Sequence, residues 1–292
     1  MNPIELSQVG KKFGVKPALQ GLDMKVEPGE FVGLIGPNGS GKSTCLRLLL
    51  GIIRRDSGQI RVLGMDPNRD SLRIRENCSY LPGETSVYQG MRGREFLHFA
   101  LSFYPTLQDD VMEELMEGFA LPLQKRVHTY SAGMKQKLAL MASLIPDVEI
   151  YILDEPDRAL DASVRFFLRS MLRKLNARKK TILLSSHHLS EIEALSNRQV
   201  FLMEGTAIEA ARVEEARKLL ERRVRLRLRD GVQIPSDAEE IRRDVDGTVY
   251  VVPHGDPVGW LAQIPTGAII SAEMGVVHLE DLYSLLVVEK VQ

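Results

Sequence analysis

The chain has 292 residues, 44% of them hydrophobic and 26% charged, with a formal net charge of −1. Near-neutrality excludes a whole-chain field that would gather nucleic acid or anionic lipid, and no apolar run approaches the roughly 20 residues that cross a bilayer. The two cysteines, Cys45 and Cys78, lack metal-ligand spacing and fit a reduced, cytosolic compartment; no N-terminal stretch reads as a signal peptide, and the length suggests about two domains.

The first clear predicted element is a strand over Phe31–Ile35, apolar nearly throughout, as buried parallel strands are. It runs into GPNGSGKST, from Gly36 to Thr44, and then into a helix that ends near Gly51. This is the pattern G-x-x-x-x-G-K-S/T in its strand–loop–helix context. Gly36, Gly39 and Gly41 let the backbone turn tightly and approach an anion; Pro37, Asn38 and Ser40 complete the expected ATP-binding loop. The amides from Gly39 to Thr44 are expected to point inward at the positive end of the helix dipole. Lys42 should reach the β- and γ-phosphates, Ser43 should offer its hydroxyl to Mg²⁺, and Thr44 its amide and hydroxyl to the α-phosphate. Cys45 behind the loop reads as a small buried hydrophobe.

Residues 84–135 have a different texture. REFLHFALSFY and DDVMEELMEGFA read as consecutive helices with no strand between them, a helical insertion. HTYSAGMKQKLALMASLI, from His128 to Ile145, follows. Its second half is a helix with Leu138, Met141, Ala142 and Ile145 on one face. Its first half is a helix start of bare amides, with no nucleophile or base to use them. A strand over Ile150–Leu153 then ends in Asp154 and Glu155. Asp154 can accept from the water shell of Mg²⁺, and Glu155 can orient or deprotonate an attacking water. Val164, Phe167, Leu168, Met171, Leu172 and Leu175 mark the next helix. The strand over Thr181–Leu184 leads to SSHH, placing His187 where ligands gather at the carboxyl end of a sheet. His187 is expected to donate to the γ-phosphate and to hold the water and Glu155, while His188 starts the following helix. Val200–Met203 is a further buried strand, and the alternation argues for a mostly parallel sheet covered by helices.

After Gly205 the chain reads as a small α+β appendage, residues 205–292, with RRVRLRLRD, TVYVV and AIISAE as strands and HLEDLYSLLVV as a last helix. Arg223, Arg225, Arg227 and Arg229 alternate with apolar residues. They fit either a contact to nucleic acid or lipid, or a solvated strand face whose charges discourage edge pairing.

With GPNGSGKST, YSAGM, ILDEP, ALD and SSHH in that order, the first 205 or so residues resemble the nucleotide-binding subunit of an ABC transporter, most like the bacterial ABC-2 type exporter ATPases. The resemblance implies an α/β P-loop NTPase core: a mostly parallel sheet flanked by helices, with an antiparallel β element. It assigns residues 1–204 to the ATPase domain and the rest to an accessory domain. It implies ATP and Mg²⁺ as cofactors. The partners it implies are separate transmembrane permease subunits and a second cassette, identical or homologous, with no nucleic acid. The place it implies is the cytoplasmic face of the cell membrane.

By the same resemblance YSAGM matches the LSGGQ signature. Ser131, Ala132 and Gly133 would then contact the γ-phosphate of an ATP held on the partner's phosphate loop, which gives the idle helix start a ligand; as a local structure Ser131 also reads as a helix N-cap. Phe13 matches the aromatic that stacks on adenine. Leu160 and Asp161 match the loop that crosses between cassettes, and Glu27–Glu30 the turn before the first core strand. There are departures. The usual Gln after YLP is Gly83, and Glu84 next to it offers a carboxylate that also suits Mg²⁺. Asp157 stands where Thr or Ser is usual and is expected to bring a second negative charge near Glu155. A soluble ABC ATPase that remodels nucleic acid or ribosomes is the alternative. It would be expected to carry two cassettes or a long coiled coil, and this chain has one cassette and no heptad run.

Overall fold

The chain opens with a long hairpin, in which β1 (Ile4–Phe13) pairs antiparallel with β2 (Lys16–Val26). The structure, a computed structural model, describes residues 1–229 and 231–288. After the hairpin come β3 (Phe31–Ile35), α1 (Lys42–Leu49) and β4 (Ser57–Val62). β4 returns to β1, so a three-stranded antiparallel sheet forms in the order β2-β1-β4. Its inward residues, among them Ile4, Leu6, Leu22, Val26, Ile60 and Val62, share one buried cluster with Cys45, Leu46 and Leu49 of α1. Each fully buried aliphatic side chain there contributes roughly 1.5–3 kcal/mol relative to exposure.

Next come α2 (Pro67–Glu76) and β5 (Cys78–Leu81). Three helices follow without an intervening strand: α3 (Gly93–Leu101), α4 (Asp109–Phe119) and α5 (Ala132–Leu144). Then β6 (Ile150–Asp154), α6 (Ala162–Ala177), β7 (Thr181–Ser185), α7 (Leu189–Leu195), β8 (Arg198–Met203) and β9 (Thr206–Ala207) complete the first unit. The central sheet has the order β5-β6-β7-β3-β8-β9 and is parallel except for β9. β3, β6 and β7 are buried along their whole length, which is why their sequences are continuous apolar runs rather than alternating ones.

The chain divides into two compact units between Ile208 and Glu209. β9 pairs with β8, so the residues just after Gly205 close a hairpin of the first unit. The second unit holds α8 (Ala210–Glu221), β10 (Val224–Leu228), β11 (Ala238–Arg243), β12 (Thr248–Pro253), α9 (Pro257–Leu261), β13 (Ile269–Met274) and α10 (Leu279–Tyr283). Its antiparallel sheet has the order β11-β12-β10-β13 over a core of Val224, Leu226, Val249, Val251, Trp260 and Ile264. The arginine strand is therefore interior, with β12 on one side and β13 on the other. Its arginines do not guard an edge. Arg223 pairs with Asp281, Arg225 with Glu273 and Arg227 with Asp246, so most of the apparent basic stripe is neutralised by carboxylates from elsewhere in the unit.

Asp66 caps α2, accepting from the Asn68 amide at 2.9 Å, and its two oxygens take Arg55 Nη1 and Nη2 at 2.7 and 2.8 Å. The Arg55 guanidinium holds this carboxyl at about 2, below the ordinary 3.8. A carboxyl depressed in the folded state stabilises above its unfolded value and loses that contribution as pH falls through its folded value. Asp66→Asn should therefore flatten the loss of stability between about pH 4 and pH 2 relative to the parent, measured by urea unfolding across that range; identical acid limbs would place the effect elsewhere.

Candidate functional site

Because β3, β6 and β7 are parallel neighbours, their carboxyl ends lie along one edge of the sheet. β3 gives way there to the phosphate loop, which turns into α1 at Gly41. That residue has φ +106°, and a Cβ on it would stand 2.6 Å from the Ala18 carbonyl, so both the backbone and the neighbouring hairpin require glycine. The first turn of α1 has no carbonyl ahead of it to take its amides. Lys42 is nearly buried, and its Nζ donates to the Gly36 and Pro37 carbonyls at 2.7 and 3.1 Å. Burial pushes the ammonium below the ordinary lysine value, and the charges of Asp154 and Glu155 oppose that shift. Ser40 Oγ, behind the loop, is buried without a partner.

The loop faces a cleft of about 330 Å³, lined by Asn38, Gly39, Gly41, Lys42, Ser43 and Thr44 on one side and by the ring of Phe13 on another. Glu155 also lines it. Lys16, Pro17 and Ala18 from the start of β2 complete the wall. Only their position beside Phe13 in the sequence hinted at them.

β6 ends at Asp154, buried, with Oδ1 accepting from Ser185 Oγ at the end of β7. The other oxygen, Oδ2, is buried with no partner. Glu155 follows with φ +52°, an uncommon conformation for a non-glycine residue, held by its amide on the Ser185 carbonyl at 2.9 Å. A position of this kind costs of order 1–3 kcal/mol and persists where the surroundings over-determine it. It turns the carboxylate to the cleft, where Oε1 lies 2.5 Å from His187 Nε2. The structure thus brings Lys42, Asp154, Glu155 and His187 to one sheet edge.

Mg²⁺ fits this donor set. A hydroxyl on the cleft (Ser43) and a carboxylate oxygen without a partner (Asp154 Oδ2) are the kind of sparse oxygen shell that the ion completes with water and phosphate. Glu84 is exposed and not among the residues lining the cleft, whereas Gly83 is so near that a Cβ on it would stand 3.2 Å from Asp154 Oδ2. Asp157, two residues after Glu155, has its carboxylate hydrogen-bonded to Ser186 and His188.

Ser131, Ala132, Gly133 and Asp161 are not brought to this cleft. Ser131 caps α5 by accepting from the Met134 amide at 3.2 Å, and Ser131 and Ala132 are exposed. Asp161 caps α6, accepting from the Val164 amide at 2.9 Å. Hydrogen bonds from the Ser163 hydroxyl and the Val164 amide hold its carboxyl below the ordinary value. Gln136 was missed by sequence reasoning. It is buried on α5, its Oε1 takes the Thr85 hydroxyl, and its Nε2 donates to the Pro156 carbonyl at 3.0 Å. One amide therefore ties the loop after β5 and the turn after β6 to the signature helix. A polar side chain one turn ahead of Leu140 and two ahead of Ser143 on the buried face was the available signal.

A phosphate loop on β3, a strand-end Asp–Glu pair on β6 and a histidine after β7 define a P-loop ATPase of the cassette type. Residues 19–158 match the ABC transporter family. The chain is 35% identical over 219 residues to the Nod factor export ATP-binding protein I of Rhizobium etli, covering 73% of this chain and 69% of that one. Among solved structures, the ATP-binding subunit of an ABC transporter superposes with a TM-score of 0.66 at 26% identity, over 73% of this chain and 92% of that one. A dimeric ATP-binding cassette bound to ADP and phosphate gives 0.64 at 22% identity, over 70% and 97%, and shares the fold. The chain belongs to the ATP-binding proteins of ABC transporters.

Gly41→Ala should destabilise the first unit by ~1–3 kcal/mol through the forced positive φ and the clash with Ala18. It should also weaken ATP binding, read by urea unfolding and by fluorescence titration with a labelled nucleotide. An unchanged unfolding midpoint would mean that the turn tolerates a side chain.

Proposed function

We propose that this ATPase is the energy-supplying subunit of a membrane exporter: it binds and hydrolyses ATP and drives transmembrane subunits that are separate chains. The observation that carries the hydrolytic reading is the Glu155–His187 pair at the cleft that holds Lys42. In this reading Phe13 stacks on adenine and the loop amides with Lys42 and Thr44 take the phosphates. Ser43 and Asp154 would hold Mg²⁺, which when bound neutralises charge on the β- and γ-phosphates. Glu155 orients the attacking water and accepts its proton, a role worth roughly 10²–10⁴ in rate. His187 keeps the carboxylate in place and donates to the γ-phosphate.

Two copies would enclose two ATP molecules, with Ser131, Ala132, Gly133 and Asp161 of each facing the nucleotide of the other. Support comes from the start of α5, which is exposed and does not line its own chain's cleft, and from the dimeric state of a cassette of the same fold. The name of the Rhizobium etli relative supports export. Among the described residues no helix is long and apolar enough to cross a membrane; in this reading the pathway belongs to partner subunits, with this chain at the cytoplasmic face of the membrane. Arg223, Arg225 and Arg227 each have a carboxylate beside them, which weakens the case for nucleic acid.

Glu155→Gln should abolish steady-state turnover while leaving an ATP-bound dimer in size exclusion; a monomer under saturating ATP and Mg²⁺ contradicts the enclosed pair. Ser131→Arg should stop turnover with ATP affinity of the isolated chain unchanged. Equal loss of both would put Ser131 in its own chain's site.

A further inference from the structure

His187 stands between two residues that are both fastened to one buried carboxylate. Ser186 Oγ donates toward Asp157 Oδ1 and Oδ2 at 3.0 and 2.9 Å, and accepts from the His188 amide at 2.9 Å. His188 Nδ1 lies 2.5 Å from Asp157 Oδ2. Asp157 itself is 6% exposed and sits two residues after Glu155, in the turn that Gln136 holds through the Pro156 carbonyl. The loops after β6 and β7 are therefore laced together on both sides of the reacting pair: Ser185 on Asp154 before it, Ser186 and His188 on Asp157 beyond it.

We propose that Asp157, with Ser186 and His188, is a positioning group that holds His187 against Glu155. The inference rests on the roles given to Glu155 and His187 above. A buried carboxylate persists where it is hydrogen-bonded, and Asp157 has two donors for this contact, of which the Ser186 hydroxyl remains when the His188 ring is shortened. The contact fixes the backbone on either side of His187. His188 is half exposed, so shortening its side chain leaves no core cavity, and its effect on turnover is separable from an effect on folding.

The test is ATP turnover by the full-length chain, with thermal midpoints, for the parent, Glu155→Gln, Asp157→Asn, His188→Ala and His188→Asn. His188→Ala should lower kcat by about 10–100-fold, with KM for ATP within about twofold and the midpoint near the parent's. His188→Asn, whose side-chain N–H can replace Nδ1–H toward Asp157, should restore most of the rate. Asp157→Asn should resemble His188→Ala in kcat. A parental kcat in His188→Ala, or equal loss in His188→Ala and His188→Asn, overturns the positioning role. So does a fall in midpoint with kcat retained. A parent that does not hydrolyse ATP overturns the reading of Glu155 and His187 along with it, whereas an active parent, a dead Glu155→Gln and normal His188 variants overturn this inference alone.

Discussion

The in-register parallel pairing of β6 with β7, Asp154 opposite Ser185, is the constraint on which the site depends. It places two strand ends side by side, so the residues that follow each strand meet without help from long connections. The hydroxyl of Ser185 takes one oxygen of Asp154 and leaves the other open. Its carbonyl takes the amide of Glu155 and thereby supports a positive φ there. A shift of one residue in this pairing would turn every side chain to the other face and separate Glu155 from His187.

The parts legible in the sequence are those where one physical rule acts alone. Phe31–Ile35, Ile150–Asp154 and Thr181–Ser185 are apolar runs because they are buried on both sides. Of the insertion helices, α4 matches DDVMEELMEGFA to within one residue, and α3 ends three residues before REFLHFALSFY does. The phosphate loop is legible because its backbone geometry admits few sequences. What was not legible was set by partners distant in the chain. β1 and β2 alternate irregularly because bulges interrupt their register, and β11 is an exposed edge strand of mixed charge. The arginine strand was legible as a solvated face, with Arg225 and Arg227 exposed and Val224 and Leu226 buried, but not its interior place in the sheet or its partners Asp246, Glu273 and Asp281 from other elements.

The site shows the same division. Residue types at strand ends point to phosphate chemistry, but the partners of those residues are a matter of three dimensions. Asp157 read as an additional charge near Glu155, and the fold gives it Ser186 and His188 instead. Gln136 drew no reading from the sequence, and the fold uses both ends of its amide. Ser131 and Asp161 have an unambiguous local role as helix caps, which is compatible with any second role and specifies none.

Lys42 meets no empty loop. An ammonium has three donors, and two of them already rest on the Gly36 and Pro37 carbonyls. An arriving nucleotide redistributes these bonds more than it adds to them, so the gain at this residue lies in bringing anionic charge to a desolvated cation rather than in the number of contacts. The loop is ordered around its own cation beforehand, and the ordering entropy that usually opposes binding has been met during folding. Such a loop discriminates ligands by their charge: a polyphosphate gains where a neutral molecule of the same shape would gain little.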